Sequence, residues 1–218
     1  MFTSSDEKEL SHEDIDRALG ALDQEFAKSD LLMSLAPIRF MASGGALAVK
    51  YFHVRMTTKD VDCLTDPNVD AAEDYREEII LAIQRVAEDL SLKNDWFNDE
   101  LKGFVRTEKR MDLFLQAVEQ GIVIFQGVNL VVYAARMDWQ LERKLRRIAE
   151  GTNRRGETKD ISDAIALVKH IKGDGPPLTR EYLEGLNFNG WEQSMYRGIE
   201  KVRKEYVRVY GEAGISEV

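Results

Sequence analysis

Apolar residues recur at intervals of three and four in some stretches of the chain and gather into short runs in others, which predicts a mixture of helices and strands. Ser11 followed by Glu13-Asp14 marks an N-cap, and Ile15, Leu19, Leu22 and Phe26 then share one helical face, predicting a first helix to about Lys28. Pro37 to Ala42 reads as a short strand that stops at Ser43-Gly44-Gly45, where glycine permits a tight backbone. Ala46 to Phe52 fits one or two helical turns, and Val61 with Cys63-Leu64 flanks Asp60 and Asp62 in a second strand ended by Thr65-Asp66-Pro67. From about Val69 to Leu92 the positions Ile79, Ile80, Ile83 and Val86 predict a long amphipathic helix. Gly121–Phe125 and Leu130–Tyr133 read as strands joined by the hairpin residues 126–129. After Asp138 the pattern predicts helices over about 138–149, 158–172, 178–187 and 190–210, with breaks at 151–153 and 173–177. The expected fold class is α+β: a small mixed β-sheet with flanking helices over residues 1–136, and a helical C-terminal region, 137–218, packed on it.

Composition changes this picture only at its edges. The chain has 218 residues, 44% hydrophobic and 32% charged, which is the balance of a globular protein with an ordinary core. No apolar run reaches the length of a membrane span, and the acidic start of the chain lacks the apolar segment of a secretory signal. A lone cysteine, Cys63, points to a reducing compartment, cytosolic or nuclear, and of these a cytoplasmic location is expected. The formal net charge of −9 argues against broad nucleic-acid binding, although Arg143, Lys144, Arg146, Arg147, Arg154, Arg155 and Lys159 form a basic stripe. His12, His53 and His170 lack metal-ligand spacing.

Asp60 and Asp62 are the first candidates for chemistry. Residues two apart on a strand project from one face, so two like charges sit close together. A hard divalent cation relieves their repulsion, and Mg²⁺ (or Mn²⁺) takes one or two protein carboxylates while its other positions bind water and phosphate oxygens. The plainer alternative has one aspartate capping a turn and the other facing water. Upstream, the strand–glycine–helix turn at Ser43, Gly44 and Gly45 presents backbone N–H groups suited to phosphate. The plainer alternative there is a simple tight turn.

The stretch "IRFMASGGALAVKYFHVRMTTKDVDCL", residues 38 to 64, resembles the glycine-turn and Asp-x-Asp motifs of the nucleotidyltransferase superfamily with a DNA-polymerase-β-like core. The likeness is closer to its small AbiEii-like and MenT-like members. A later stretch, "DWQLERKLRRIAEGTNRRGETKDISDAIALV", residues 138 to 168, is similar to that group's Lys-Leu helix followed by a basic-Asp-x-x-Asp helix. The resemblance covers about a quarter of the chain. It implies a nucleotidyltransferase core in which Asp60 and Asp62 hold Mg²⁺ against a nucleoside triphosphate, while Ser43, Gly44 and Gly45 cradle its phosphates. Arg55 and Thr58 belong to the lead into the aspartates. Lys144 would neutralise phosphate charge and Asp160 would orient the acceptor, with Asp163 a weaker candidate. The reaction implied is transfer of a nucleoside monophosphate to an acceptor: RNA, a protein hydroxyl or a small molecule.

One departure from the resemblance stands out. Many members of that superfamily carry a third acid on a later strand, whereas the strands predicted at 121–125 and 130–133 contain none; Asp112 is the nearest option. Two other functions therefore stay open: a catalytically degenerate member acting as a binding or regulatory module, and an RNA-binding protein using the basic stripe. The cluster Trp96-Phe97-Asn98-Asp99 reads as an aromatic core anchor followed by a polar turn. Oligomeric state and the identity of the nucleotide are not encoded in any of these patterns.

Overall fold

The protein is described by a computed structural model over residues 9–151, 154–190 and 192–216, with side chains omitted at 154 and 155. Thr152, Asn153 and Trp191, which fall in the predicted 151–153 break and the predicted 190–210 helix, lie outside the described residues, as do the Arg154 and Arg155 side chains of the basic stripe. Chain contacts divide it into two compact units, Met1–Ala135 and Arg136–Val218.

The first unit is α+β. In chain order it comprises β1 (Leu10–Ser11), α1 (His12–Phe26), α2 (Asp30–Met33), β2 (Ile38–Ala42), α3 (Gly45–Lys50), β3 (Thr57–Thr58), β4 (Val61–Thr65), α4 (Pro67–Asp70) and α5 (Glu73–Leu90). It continues with β5 (Phe97–Asn98), a 3₁₀ turn at Glu100–Phe104, α6 (Thr107–Gln120), β6 (Val123–Gln126) and β7 (Leu130–Ala134). Five strands form a mixed sheet in the order β5-β4-β2-β7-β6, and β1 pairs separately with β3. β2 runs antiparallel to β4 and parallel to β7.

Ser11 caps α1 as its sequence suggests: its hydroxyl accepts from the Asp14 N–H at 3.1 Å while the Asp14 carboxylate accepts from the Ser11 N–H, a reciprocal box that satisfies two helix-end donors. Ile15, Leu19, Leu22 and Phe26 are all buried, so the period-3.6 stripe is the face that meets the core. Along β2 adjacent residues point to opposite sides of the sheet. Phe40 meets Phe26 of α1, with ring centres 6.2 Å apart, whereas the Arg39 guanidinium lies over Phe114 of α6 at 5.7 Å. Helices thus cover both faces.

Several boundaries differ from the sequence reading. The helix expected over 69–92 breaks at Ala71-Ala72 into α4 and α5, and Ile80 is exposed while Ile79, Ile83 and Val86 are buried. α6 was not foreseen at all. It has no side-chain cap, because Arg106 occupies the N-cap position, and only Leu113, Phe114 and Ala117 of its residues are buried.

The second unit is helical: α7 (Met137–Glu150), α8 (Arg154–Lys172), α9 (Arg180–Gly185) and α10 (Tyr196–Tyr210). α10 crosses α7 at Gly198, where a Cβ would lie 2.1 Å from the Leu145 carbonyl oxygen, so the two backbones approach as only glycine permits. A single bridge between Leu178 and Ile215 ties the C-terminal segment to the loop before α9. No helix among the described residues is long and apolar enough to cross a membrane.

Candidate active site

The antiparallel pairing of β2 with β4 sets Ala42 opposite Cys63, and one residue further on the Ser43 N–H donates to the Asp62 carbonyl at 3.0 Å. The chain then turns at Gly44, whose φ of 71° and ψ of −130° belong to a region that side chains other than glycine's avoid. A Cβ at Gly44 would stand 3.4 Å from an Asp62 carboxylate oxygen. At Gly45 it would meet the Thr58 Oγ1 at 2.1 Å, with an Arg55 Nη1 at 3.7 Å. The missing side chains let the turn lie directly against the acid. Five of the residues singled out in the sequence, Gly44, Gly45, Arg55, Thr58 and Asp62, therefore converge, and Ser43 is buried beside them.

Asp60 lies outside the strand expected to hold it: β4 begins at Val61, and Asp60 is the irregular residue just before it. It remains close to its partner. Burial, and next the Asp62 charge, push the Asp60 carboxyl up to about 6, with Glu100 and Asp95 adding to the rise and Lys93 opposing it. Asp95 and Glu100 were missed in the sequence. They reach Asp60 because β5 pairs in parallel with β4, setting Phe97 opposite Val61 and Asn98 opposite Asp62. The signal was the alternation of acids around the two buried aromatics Trp96 and Phe97, which the sequence reading assigned to packing. Asp112 is exposed on α6 and lies on no strand.

β4 alternates as expected: Asp62 faces the glycine turn while Cys63 points to the other side, buried, its thiol donating to the Asn98 carbonyl at 3.0 Å. His53 adopts a positive φ of 54° after α3, its Nδ1 3.1 Å from the Val49 carbonyl oxygen and its ring 5.5 Å from that of His12.

Lys144, Asp160 and Asp163 form a separate buried cluster within the second unit. The Lys144 ammonium donates to an Asp160 oxygen at 2.9 Å and lies 2.7 Å from an Asp163 oxygen. The other Asp160 oxygen faces the Arg147 Nε at 3.2 Å, close enough for ion pairing but outside hydrogen-bond alignment. This arrangement locks α7 to α8.

The donor chemistry around Asp60 fits a hard divalent cation: two carboxylates, one turn of bare backbone, and a proton affinity raised by burial and then by like charge. Among the described residues no group of three or more His, Cys, Asp or Glu side chains is arranged to hold a metal. The raised Asp60 carboxyl yields a prediction for the metal-free protein. Because Asp60 binds its proton more tightly folded than unfolded, that proton favours folding below about pH 4, and the advantage is lost as pH rises through about 6. In a chelating buffer, Asp60→Asn is expected to melt at a higher temperature than the parent at pH 8, with the difference vanishing near pH 4; calorimetric scans across that range check it.

No protein-family model, curated protein or solved structure matches this chain.

Proposed function

We propose that the first unit is a nucleotidyltransferase core that moves a nucleoside monophosphate from a nucleoside triphosphate to an acceptor hydroxyl with Mg²⁺ or Mn²⁺ as cofactor. The observation that carries this reading is the glycine turn lying 3.4 Å, at its missing Cβ, from the Asp62 carboxylate. Phosphate and cation bind best side by side, and here the backbone that suits one adjoins the acid that suits the other. In this reading Asp60 and Asp62 hold the cation, while the Ser43–Gly45 backbone and Arg55 position the phosphates. The cation supplies charge neutralisation at the phosphates. The acceptor hydroxyl oxygen bonds to the α-phosphorus and gives up its proton to solvent as the bond to the bridging oxygen breaks, and pyrophosphate leaves with that electron pair. The protein's contribution is alignment and fixed charge. RNA, a protein hydroxyl and a small molecule are all acceptors of the right chemistry. The single buried thiol, Cys63, supports a cytoplasmic setting.

The absence of a three-carboxylate cluster among the described residues favours a second reading, nucleotide binding without transfer. Calorimetric titration with each ribonucleoside triphosphate in Mg²⁺ tests the shared premise. Binding is expected for at least one nucleotide and should disappear in EDTA and in the Asp60→Ala/Asp62→Ala double variant. No binding, or binding indifferent to both changes, overturns both readings. Labelled nucleotide bound but never transferred, across RNA, protein and small-molecule acceptors, selects the second.

A further inference from the structure

On the side of β4 opposite Asp62, between the sheet and α5, lies a cavity of about 210 Å³. Phe40, Cys63 and Phe97 form its floor, and Ile79 and Ile83 of α5 form its wall. Close-packed interiors leave few voids larger than a water molecule, and an apolar cavity of about 150 Å³ already admits benzene. The space is therefore of a size for a six-membered ring with a short substituent. Phe40 and Phe97 meet edge to face, centres 5.1 Å apart at 77°, which gives the floor a rigid aromatic surface.

Charge is confined to the rim. Three aspartates, Asp70, Asp95 and Asp99, stand there with Arg76. Asp70 and Asp99 share Lys102, at 2.6 and 2.7 Å, and Arg76 donates to the Asp70 carbonyl at 3.1 Å. Lys102 thus serves two of the three carboxylates, while Arg76 reaches the Asp70 carbonyl and lies 4.0 Å from a Glu73 carboxylate oxygen. The one left over is identifiable: the Asp95 carboxylate makes no hydrogen bond or ion pair among the described residues. An apolar recess with one uncommitted anion at its mouth complements a molecule that has a ring at one end and a positive charge at the other. The Cys63 thiol, which burial pushes well above its ordinary range, stays protonated and offers no nucleophile, so binding is non-covalent.

We propose that this cavity is a binding site for a small organic amine, its ring-sized apolar body seated on Phe40 and Ile83 and its ammonium on Asp95. The recess lies on the other face of the sheet from the glycine turn, and its link with the acid pair is the Asp95 charge, which also acts on Asp60.

The test uses the whole chain in EDTA without nucleotide, so that no metal or triphosphate contributes. Benzylamine is titrated by calorimetry beside benzyl alcohol and benzoate, neutral and anionic molecules of similar shape. Benzylamine is expected to bind saturably and at least tenfold more tightly than either analogue, the scale of a charge-assisted contact. Asp95→Asn, a surface change with no internal partner to lose, should erase that preference. Ile83→Phe, which fills the recess, should abolish binding of all three. No saturable binding of benzylamine, equal binding of the three molecules, or a preference that survives Asp95→Asn overturns the proposal.

Discussion

Replacing Asp62 by asparagine is expected to lower the proposed Mg²⁺-dependent nucleotidyl transfer by about a hundredfold or more, with the fold intact by circular dichroism. A cation at a phosphoryl centre stabilises the transition state by several kcal/mol, and each 1.36 kcal/mol is tenfold in rate. Asparagine keeps the shape of the side chain and its backbone register opposite Asn98, so the loss isolates charge from packing. Rates measured at saturating nucleotide over a Mg²⁺ titration distinguish weaker metal binding, rescued by more Mg²⁺, from a lost catalytic charge, which is not. A variant that turns over at the parental rate ends the metal-site interpretation of the acid pair. Thr58 and Arg55 give a graded comparison, because they contact the turn without holding the cation in the proposed arrangement.

The second large effect is expected at Lys144→Met, as a loss of about 3–5 kcal/mol in unfolding free energy, the range for breaking a buried ion cluster. Methionine matches the volume of lysine and is compatible with a helix, so cavity and propensity changes are small. What changes is that Asp160 and Asp163, both buried, lose the ammonium at 2.9 and 2.7 Å. Arg147 remains beside Asp160. Urea unfolding of the full chain measures the effect, and Asp160→Asn/Asp163→Asn in the Lys144→Met background should recover most of it, since no buried charge is then stranded. A Lys144→Met protein as stable as the parent would refute the view that this cluster holds α7 and α8 together. The resemblance in sequence assigns Lys144 to phosphate; the urea experiment measures how much of its role is structural.

What could be read from the chain beforehand follows the range of the forces involved. Ile15, Leu19, Leu22 and Phe26 announced α1 because burial on one helical face is a local, periodic signal. Asp62 and Cys63 announced their opposite faces through the two-residue period of a strand. The β6–β7 hairpin was visible in its turn residues, and β7 in its apolar run. α6 was not, because its helix lacks a side-chain cap and buries a narrow stripe. β1, β3 and β5, two residues each, exist only through partners distant in the sequence. Asp60 was placed one residue too far into its strand for a similar reason: where β4 begins is set by its pairing with β5, not by its own residues. The approach of Asp95 and Glu100 to Asp60 and the recess behind Cys63 are products of that same parallel pairing, which no local pattern encodes.

The crossing at Gly198 constrains anyone wishing to watch this protein move. Two main chains in direct apposition leave no room for a fluorophore, a spin label or even a methyl group at that point, and the contact is with backbone that has no rotamer to yield. Reporters for the α7–α10 pair belong further along α10, at the outward-facing Val207 or Val209, where a tag replaces solvent instead of a neighbour.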